Sequence, residues 1–329
     1  MLRYLMRGLA IGTLVALAGC QVNLQRQTTS PLAATDTDTN TEGVEQATVQ
    51  PAGKIASRAL TLPATDQREA LATLYWPESG CQQCPLVFFS HGAGLAPDGY
   101  QKLITQWVAD GYVVVAALHT DSSQHPQREQ YSGLDWVRTR VEDYALISKA
   151  VLSAKVSDGV SLSGQLFASG HSFGALIAQI AAGAELDSAV GVELAEDAPP
   201  PLAVVALSPP GPIENYITAS GWSKISRPML VVTGTEDVLP EFIPEWQLHT
   251  AAYQAAPAGT AYLLVFDDID HYFNGAIGRP AEQGFVDNPA VTQLIDISLY
   301  FMRQVARDAL PSAEQWRALS RPGLSVESR

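Results

Sequence analysis

The chain has 329 residues, 47% of them hydrophobic, which allows one large domain or two modest ones around a substantial buried core. A formal charge of -14 speaks against binding a phosphate backbone, which calls for concentrated lysine and arginine. The acidic balance favours solubility and selects no fold.

The N-terminus reads MLRYLMRGLAIGTLVALAGC. Arg3 and Arg7 precede an apolar core from Leu9 to Leu17, and small residues precede Cys20. This is the layout of a signal peptide, and the apolar run is short for a membrane span. Leu17-Ala18-Gly19-Cys20 looks like a bacterial lipobox. That resemblance implies a signal peptide over residues 1–19, a diacylglyceryl group on Cys20 and a membrane partner through that anchor. Gln21, standing where Asp would signal retention, implies the outer membrane of a bacterial cell envelope. The other reading is an ordinary signal peptide with an incidental cysteine. The stretch up to residue 55 is rich in Thr, Gln, Asp and Ala, cannot bury a core, and is expected to be a flexible tether.

Alternating strand-like and helix-like segments follow, and a catalytic domain is expected over residues 56–310. Residues 71–77 read as an early strand, and PLVFFSHG at 85–92 as a buried one. Residues 100–112 have helical spacing, 112–118 form another buried run, and 132–154 form a long amphipathic helix. Further apolar runs lie at 165–170, 202–207, 229–234 and 261–266, with a last helix at 289–307 and a tail at 311–329. Buried runs alternating with helices predict an α/β fold with a mostly parallel central sheet and helices on both faces. Cys81 and Cys84, in GCQQCP, are candidates for a small disulfide loop in an oxidising envelope, against free thiols. A zinc site needs about four ligands, and no second Cys or His pair lies nearby in sequence.

In an open parallel sheet, chemistry sits at the carboxyl ends of the strands. The run at 165–169 ends in Gly170-His171-Ser172-Phe173-Gly174, G-x-S-x-G between a strand and a helix. Such a turn lifts a serine above the sheet at a helix N-terminus and needs small residues two positions to either side. Ser172 is therefore the candidate nucleophile. Of six histidines, His271 follows the last long strand and completes the order Ser…Asp…His. His171 is expected to pack or hydrogen-bond beneath the turn, His91 sits in the loop after an early strand, His119 and His125 precede the nucleophile, and His249 lies in a probable helix. Asp237, in the loop after MLVVTG, is the candidate acid, with Glu236 as its rival. Asp267, Asp268 and Asp270 are expected to form a solvated loop. Backbone N–H groups of Ala93 and Phe173 are the candidate oxyanion donors. Trp222, Trp246, Phe242 and Tyr272 are either pocket or core.

FFSHGAG, GYVVVAALHTDS, GHSFGALIAQ, VVTGTEDVLP and DHYFNG together resemble the α/β-hydrolase superfamily over about residues 56–307. Within it the chain is most similar to the platelet-activating-factor acetylhydrolase-like and predicted dienelactone hydrolase branch. The resemblance implies an α/β-hydrolase fold with little or no cap, the triad Ser172, Asp237 and His271, and oxyanion donors Ala93 and Phe173. It implies hydrolysis of small or lipid-like carboxylic esters without a metal or other cofactor. True dienelactone hydrolases carry cysteine where Ser172 stands, which separates this chain from that substrate. The competing expectations are a catalytically silent envelope lipoprotein and a hydrolase of polyester, thioester or peptide bonds.

Overall fold

A computed structural model describes residues 53–279, 283–284 and 286–329; the expected signal peptide, Cys20 and most of the tether lie outside them. Nine strands form one sheet among the described residues, in the order β1-β2-β4-β3-β5-β6-β7-β8-β9. In chain order the strands are β1 (Ile55–Pro63), β2 (Glu69–Pro77), β3 (Cys81–Ser90), β4 (Val113–Leu118) and β5 (Val160–His171). They continue with β6 (Ala203–Leu207), β7 (Met229–Glu236), β8 (Ala261–Asp270) and β9 (Leu324–Ser328). Strands β3 to β8 run parallel, while β1, β2 and β9 pair antiparallel at the two edges.

The helices are α1 (Gln101–Ala109), α2 (Leu134–Ser153), α3 (Phe173–Ala181), α4 (Ala219–Trp222), α5 (Ala251–Ala255), α6 (Pro289–Ala306) and α7 (Ala313–Arg317). Successive strand residues face opposite sides, so the continuous apolar run of β3 feeds two cores. Leu86 and Phe88 join Val141, Tyr144 and Ile147 of α2 and Leu176 and Ile177 of α3 on one face. Val87 and Phe89 join Leu103, Ile104 and Trp107 of α1 and Leu294 and Phe301 of α6 on the other. Helices cover both faces, as the buried runs required.

Within residues 311–329, expected to be a tail, α7 packs on the core and β9 joins the sheet. The alternation of LSVES buries Leu324 and Val326 as β9 pairs with β8, and Tyr262 of β8 meets the fully buried Trp316 of α7 edge to face, ring centroids 4.7 Å apart. Cys81 and Cys84 are joined by a disulfide at the start of β3. No helix among the described residues is long and apolar enough to cross a membrane.

Candidate active site

Strand β5 ends at His171 and α3 begins at Phe173, which leaves Ser172 alone at the turn with φ 54° and ψ -119°. Positive φ is unfavourable for a residue with a Cβ, so neighbouring packing must hold it. A Cβ on Gly170 would lie 2.3 Å from the backbone of Gly174, and one on Gly174 would lie 1.9 Å from the carbonyl oxygen of Ser90. Both positions are closed to any other residue. The Ser172 N–H donates to the carbonyl of Leu207 at the end of β6 (2.8 Å). The N–H of Ala175 donates to the Ser172 carbonyl (3.0 Å), while those of Phe173 and Gly174, in the first turn of α3, have no acceptor within the helix.

Asp237 follows β7 immediately, and His271 follows β8; the pairing of Glu236 with Asp270 brings the two strand ends side by side. Nδ1 of His271 donates to Oδ1 of Asp237 at 2.7 Å, and the Thr233 hydroxyl donates to Oδ2 at 2.8 Å. Burial alone would raise the Asp237 carboxyl; the hydrogen bonds and charges of His249 and His271 outweigh it and hold it well below the usual carboxylate range. Glu236 is exposed, while Asp237 is fully buried. The aspartates before His271 are more than a solvated loop. Asp267 and Asp268 are exposed within β8, but Oδ1 of Asp270 accepts the N–H groups of Tyr272 (2.9 Å) and Asn274 (2.7 Å) and shapes the turn that carries His271.

His171 lies fully buried beneath the turn. Burial pushes its imidazole down to about 3, so it is neutral and carries one ring proton. Nε2–H donates to the carbonyl of His271 (2.8 Å), Nδ1 accepts from the Tyr100 hydroxyl (2.8 Å), and that oxygen accepts the Gly92 N–H (3.1 Å). In the loop after β3, Gly94 N–H donates to Asp121 and Leu95 N–H to the Gly92 carbonyl. The N–H of exposed Ala93 in this loop has no internal acceptor among the described residues.

A buried ionic network supports the same loop. Arg140 of α2, fully buried, donates Nε and Nη2 to the two oxygens of Asp121, both at 2.8 Å. Nη1 reaches the carbonyl of His91 (2.6 Å), and the guanidinium carbon sits 4.4 Å from the ring centroid of Phe173. Burial would raise the Asp121 carboxyl, and Arg140 overrides that to hold it well below the carboxylate range. Beside it, Ser90 Oγ meets His119 Nε2 at 2.8 Å, and His119 Nδ1 meets Asp143 Oδ2 at 2.7 Å, with Arg68 paired to Asp143. This Ser–His–Asp arrangement is fully buried and out of reach of any substrate. His91 Nε2 accepts the His119 N–H (3.0 Å), and burial and then Arg140 hold its imidazole well below the ordinary range.

Sequence reasoning missed Arg140, Asp121 and His249. Arg140 and Asp143 share the buried face of α2 with Val137, Val141 and Tyr144, and two charges on an apolar stripe were the available signal. Trp222 is fully buried and donates to Gln179 (3.0 Å), and Trp246 packs half-buried against the core, so neither lines the site. Phe242, Tyr272 and Val238 are 38–45% exposed and lie close in sequence to Asp237 and His271. Asp237, His249 and His271 place ligand atoms within 4.8 Å of one another. Their ring nitrogens lie 2.7 and 2.8 Å from one carboxylate oxygen, direct contacts that leave no place for an ion between them.

No family model matches the chain, and no curated protein matches it. Solved structures do. A protein of Klebsiella pneumoniae subsp. pneumoniae assigned as a dienelactone hydrolase superposes with a TM-score of 0.55 at 16% identity, over 77% of this chain and 100% of its own. Esterase 2 of Thermogutta terrifontis, phosphorylated by paraoxon, gives a TM-score of 0.55 at 18% identity, over 78% of this chain and 96% of its own. The same esterase phosphoramylated by tabun gives 0.55 at 15% identity, over 76% and 94%. The fold is the α/β-hydrolase fold. In α/β-hydrolases the nucleophile elbow joins a strand to a helix, and the acid and base follow later strands in that order. Here Ser172, Asp237 and His271 follow β5, β7 and β8 in that order along the chain.

Proposed function

We propose that the protein is a serine hydrolase of carboxylic esters. The observation that carries this reading is the strained elbow at Ser172 combined with the Asp237–His271 hydrogen bond at 2.7 Å on the adjoining strand ends. Ser172 Oγ attacks the ester carbonyl while His271 Nε2 takes its proton. Asp237 holds Nδ1–H, so the tautomer with a free Nε2 is the one presented to the serine. The N–H groups of Ala93 and Phe173 take the charge that develops on the carbonyl oxygen; one such donor typically accounts for about 10²–10³ in turnover. His271 then protonates the departing alcohol, and water activated by the same imidazole releases the acid from Ser172. Exposed Val238, Phe242 and Tyr272, close in sequence to Asp237 and His271, suit esters with an apolar group. The resemblance to the acetylhydrolase-like branch supports the same substrate class, and Ser172 in place of cysteine argues against dienelactones.

Purified protein is expected to hydrolyse p-nitrophenyl acetate or butyrate, and Ser172→Ala to abolish turnover while leaving the fold intact. The Thermogutta esterase is phosphorylated by paraoxon; here paraoxon is expected to inactivate the protein and to add one phosphoryl group at Ser172. A Ser172→Ala variant that keeps more than a few per cent of the activity removes the assignment, and an inert wild-type protein supports the silent lipoprotein instead.

We place the enzyme in the bacterial envelope, anchored through Cys20.

A further inference from the structure

Tyr272 follows His271 directly, and its backbone is pinned on both sides. Its N–H donates to Oδ1 of Asp270 (2.9 Å), and its carbonyl accepts the N–H groups of Gly275 (3.0 Å) and Ile277 (3.2 Å). Its ring centroid lies 5.1 Å from that of His271, with the planes at 87°, and 5.8 Å from that of His171. The next residue, Phe273, is fully buried, whereas Tyr272 is 40% exposed. Phe273 therefore anchors this turn in the core, and Tyr272 keeps its ring beside the imidazole and in contact with solvent.

The ring rests on Gly278. A Cβ at that position would lie 2.8 Å from Cδ1 and 3.3 Å from Cε1 of Tyr272, so only bare backbone lets the ring settle there. The same Cβ would lie 3.2 Å from Cδ1 of Leu95, and one on Gly92 would lie 3.0 Å from that methyl. Leu95 is half-buried and closes the turn that carries Ala93, its N–H donating to the Gly92 carbonyl (3.2 Å). Gly278 is fixed in its turn, its N–H donating to the Gly99 carbonyl (2.9 Å). Tyr272 and Leu95 thus border one glycine, and together they join the turn after β8 to the loop after β3.

We propose that Tyr272, with Leu95, forms the subsite for the leaving alcohol and favours alcohols that carry an aryl group. Tyr272 is then a specificity-determining residue. This rests on the esterase reading above. In the tetrahedral intermediate the reacting carbon holds Ser172 Oγ, the oxyanion, the alcohol oxygen and the acyl carbon. The oxyanion turns to the N–H groups of Ala93 and Phe173. The alcohol oxygen turns to His271, which gives it a proton as its bond to the carbon breaks. The alcohol is the group brought beside the imidazole, and the Tyr272 ring, 5.1 Å from that imidazole, is there to meet it. The acyl chain leaves the carbon in another direction. An aryl group gains an edge-to-face or offset contact with the ring, and a ring on a pinned backbone gives up little freedom in making it.

Three esters followed by pH-stat titration test this. Ethyl and benzyl butyrate share an acyl group and differ in the alcohol; ethyl acetate and ethyl butyrate differ in the acyl group alone. The wild-type kcat/KM is expected to favour benzyl over ethyl butyrate by about tenfold. Tyr272→Ala is expected to lower kcat/KM for benzyl butyrate about tenfold further than for ethyl butyrate, leaving the acetate-to-butyrate ratio unmoved. Tyr272→Phe keeps the ring and is expected to keep the benzyl preference. An active Tyr272→Ala with the benzyl preference intact, or with the acyl ratio changed in its place, overturns the subsite. If Tyr272→Ala does not fold, the wild-type ratio decides alone, and equal kcat/KM for the two alcohols overturns the subsite. Wild-type protein inert toward all three esters, or activity retained by Ser172→Ala, removes the esterase reading and the subsite with it.

Discussion

His171 donates its Nε2–H to the backbone carbonyl of His271 at 2.8 Å, and through Tyr100 it also reaches the N–H of Gly92. The neighbour of Ser172 thus joins the turn that carries His271 to the loop that carries Ala93. His171→Phe keeps an aromatic ring and removes both links, leaving the His271 carbonyl without its donor and the Tyr100 O–H without its acceptor. Each such loss costs about 1–3 kcal/mol.

The same variant has a pH signature. The folded imidazole titrates at about 3, whereas an unfolded histidine titrates near about 6.5. Between those values the unfolded chain takes up a proton that the folded one refuses, so stability falls as pH falls through that window. Thermal unfolding of wild type from about pH 7 to about pH 4 is expected to show this loss, and His171→Phe a shallower one. The flattening is partial, because burial holds His91 and His119 neutral as well. Parallel curves for the two proteins would contradict the assignment.

Asp237→Asn is expected to keep the structure and lower turnover by roughly 10⁴, because an amide no longer selects the productive His271 tautomer. Glu236→Gln changes an exposed side chain and is expected to alter kcat by less than about twofold. Steady-state kinetics of the two variants on one ester separate them, and the reverse ranking would assign the acid to Glu236.

Arg140→Met strands the Asp121 carboxylate in the interior. Breaking a buried pair from one side typically costs about 3–5 kcal/mol. Urea unfolding is expected to show that loss, together with a fall in kcat as the loop from His91 to Gly94 loses its brace. The double variant Arg140→Met with Asp121→Asn removes the stranded charge and is expected to regain part of the stability but little of the activity. Equal recovery of both would mean that the pair stabilises the fold without shaping the oxyanion loop.

Cys20→Ser is expected to abolish palmitate labelling and detergent partitioning without changing the activity of the folded domain. Recovery of the native protein as an unlipidated species whose N-terminus is not Cys20 would exclude the anchor and leave the esterase reading untouched.

The sequence by itself determined the elements whose physics is local. Continuous apolar runs placed β3 to β8 because strands buried on both faces have little choice of composition. Gly170 and Gly174 flank Ser172 because no Cβ fits against the backbones of Gly174 and Ser90, and that requirement is legible five residues at a time. The tertiary structure alone decided the rest. The edge strands β1 and β9 have one exposed side and mixed composition, so their pairing depends on the partner rather than on their own pattern. Arg140 and Asp121 lie 19 positions apart, and Asp237 and His271 lie 34 apart; which carboxylate meets which cation or imidazole is set by where the strands end in the sheet. Likewise, His249 reaches Asp237 because the turn at Trp246–Thr250 folds back beside the end of β7. Side-chain pairing across a sheet is a long-range property of register and burial, and no local window of sequence contains it.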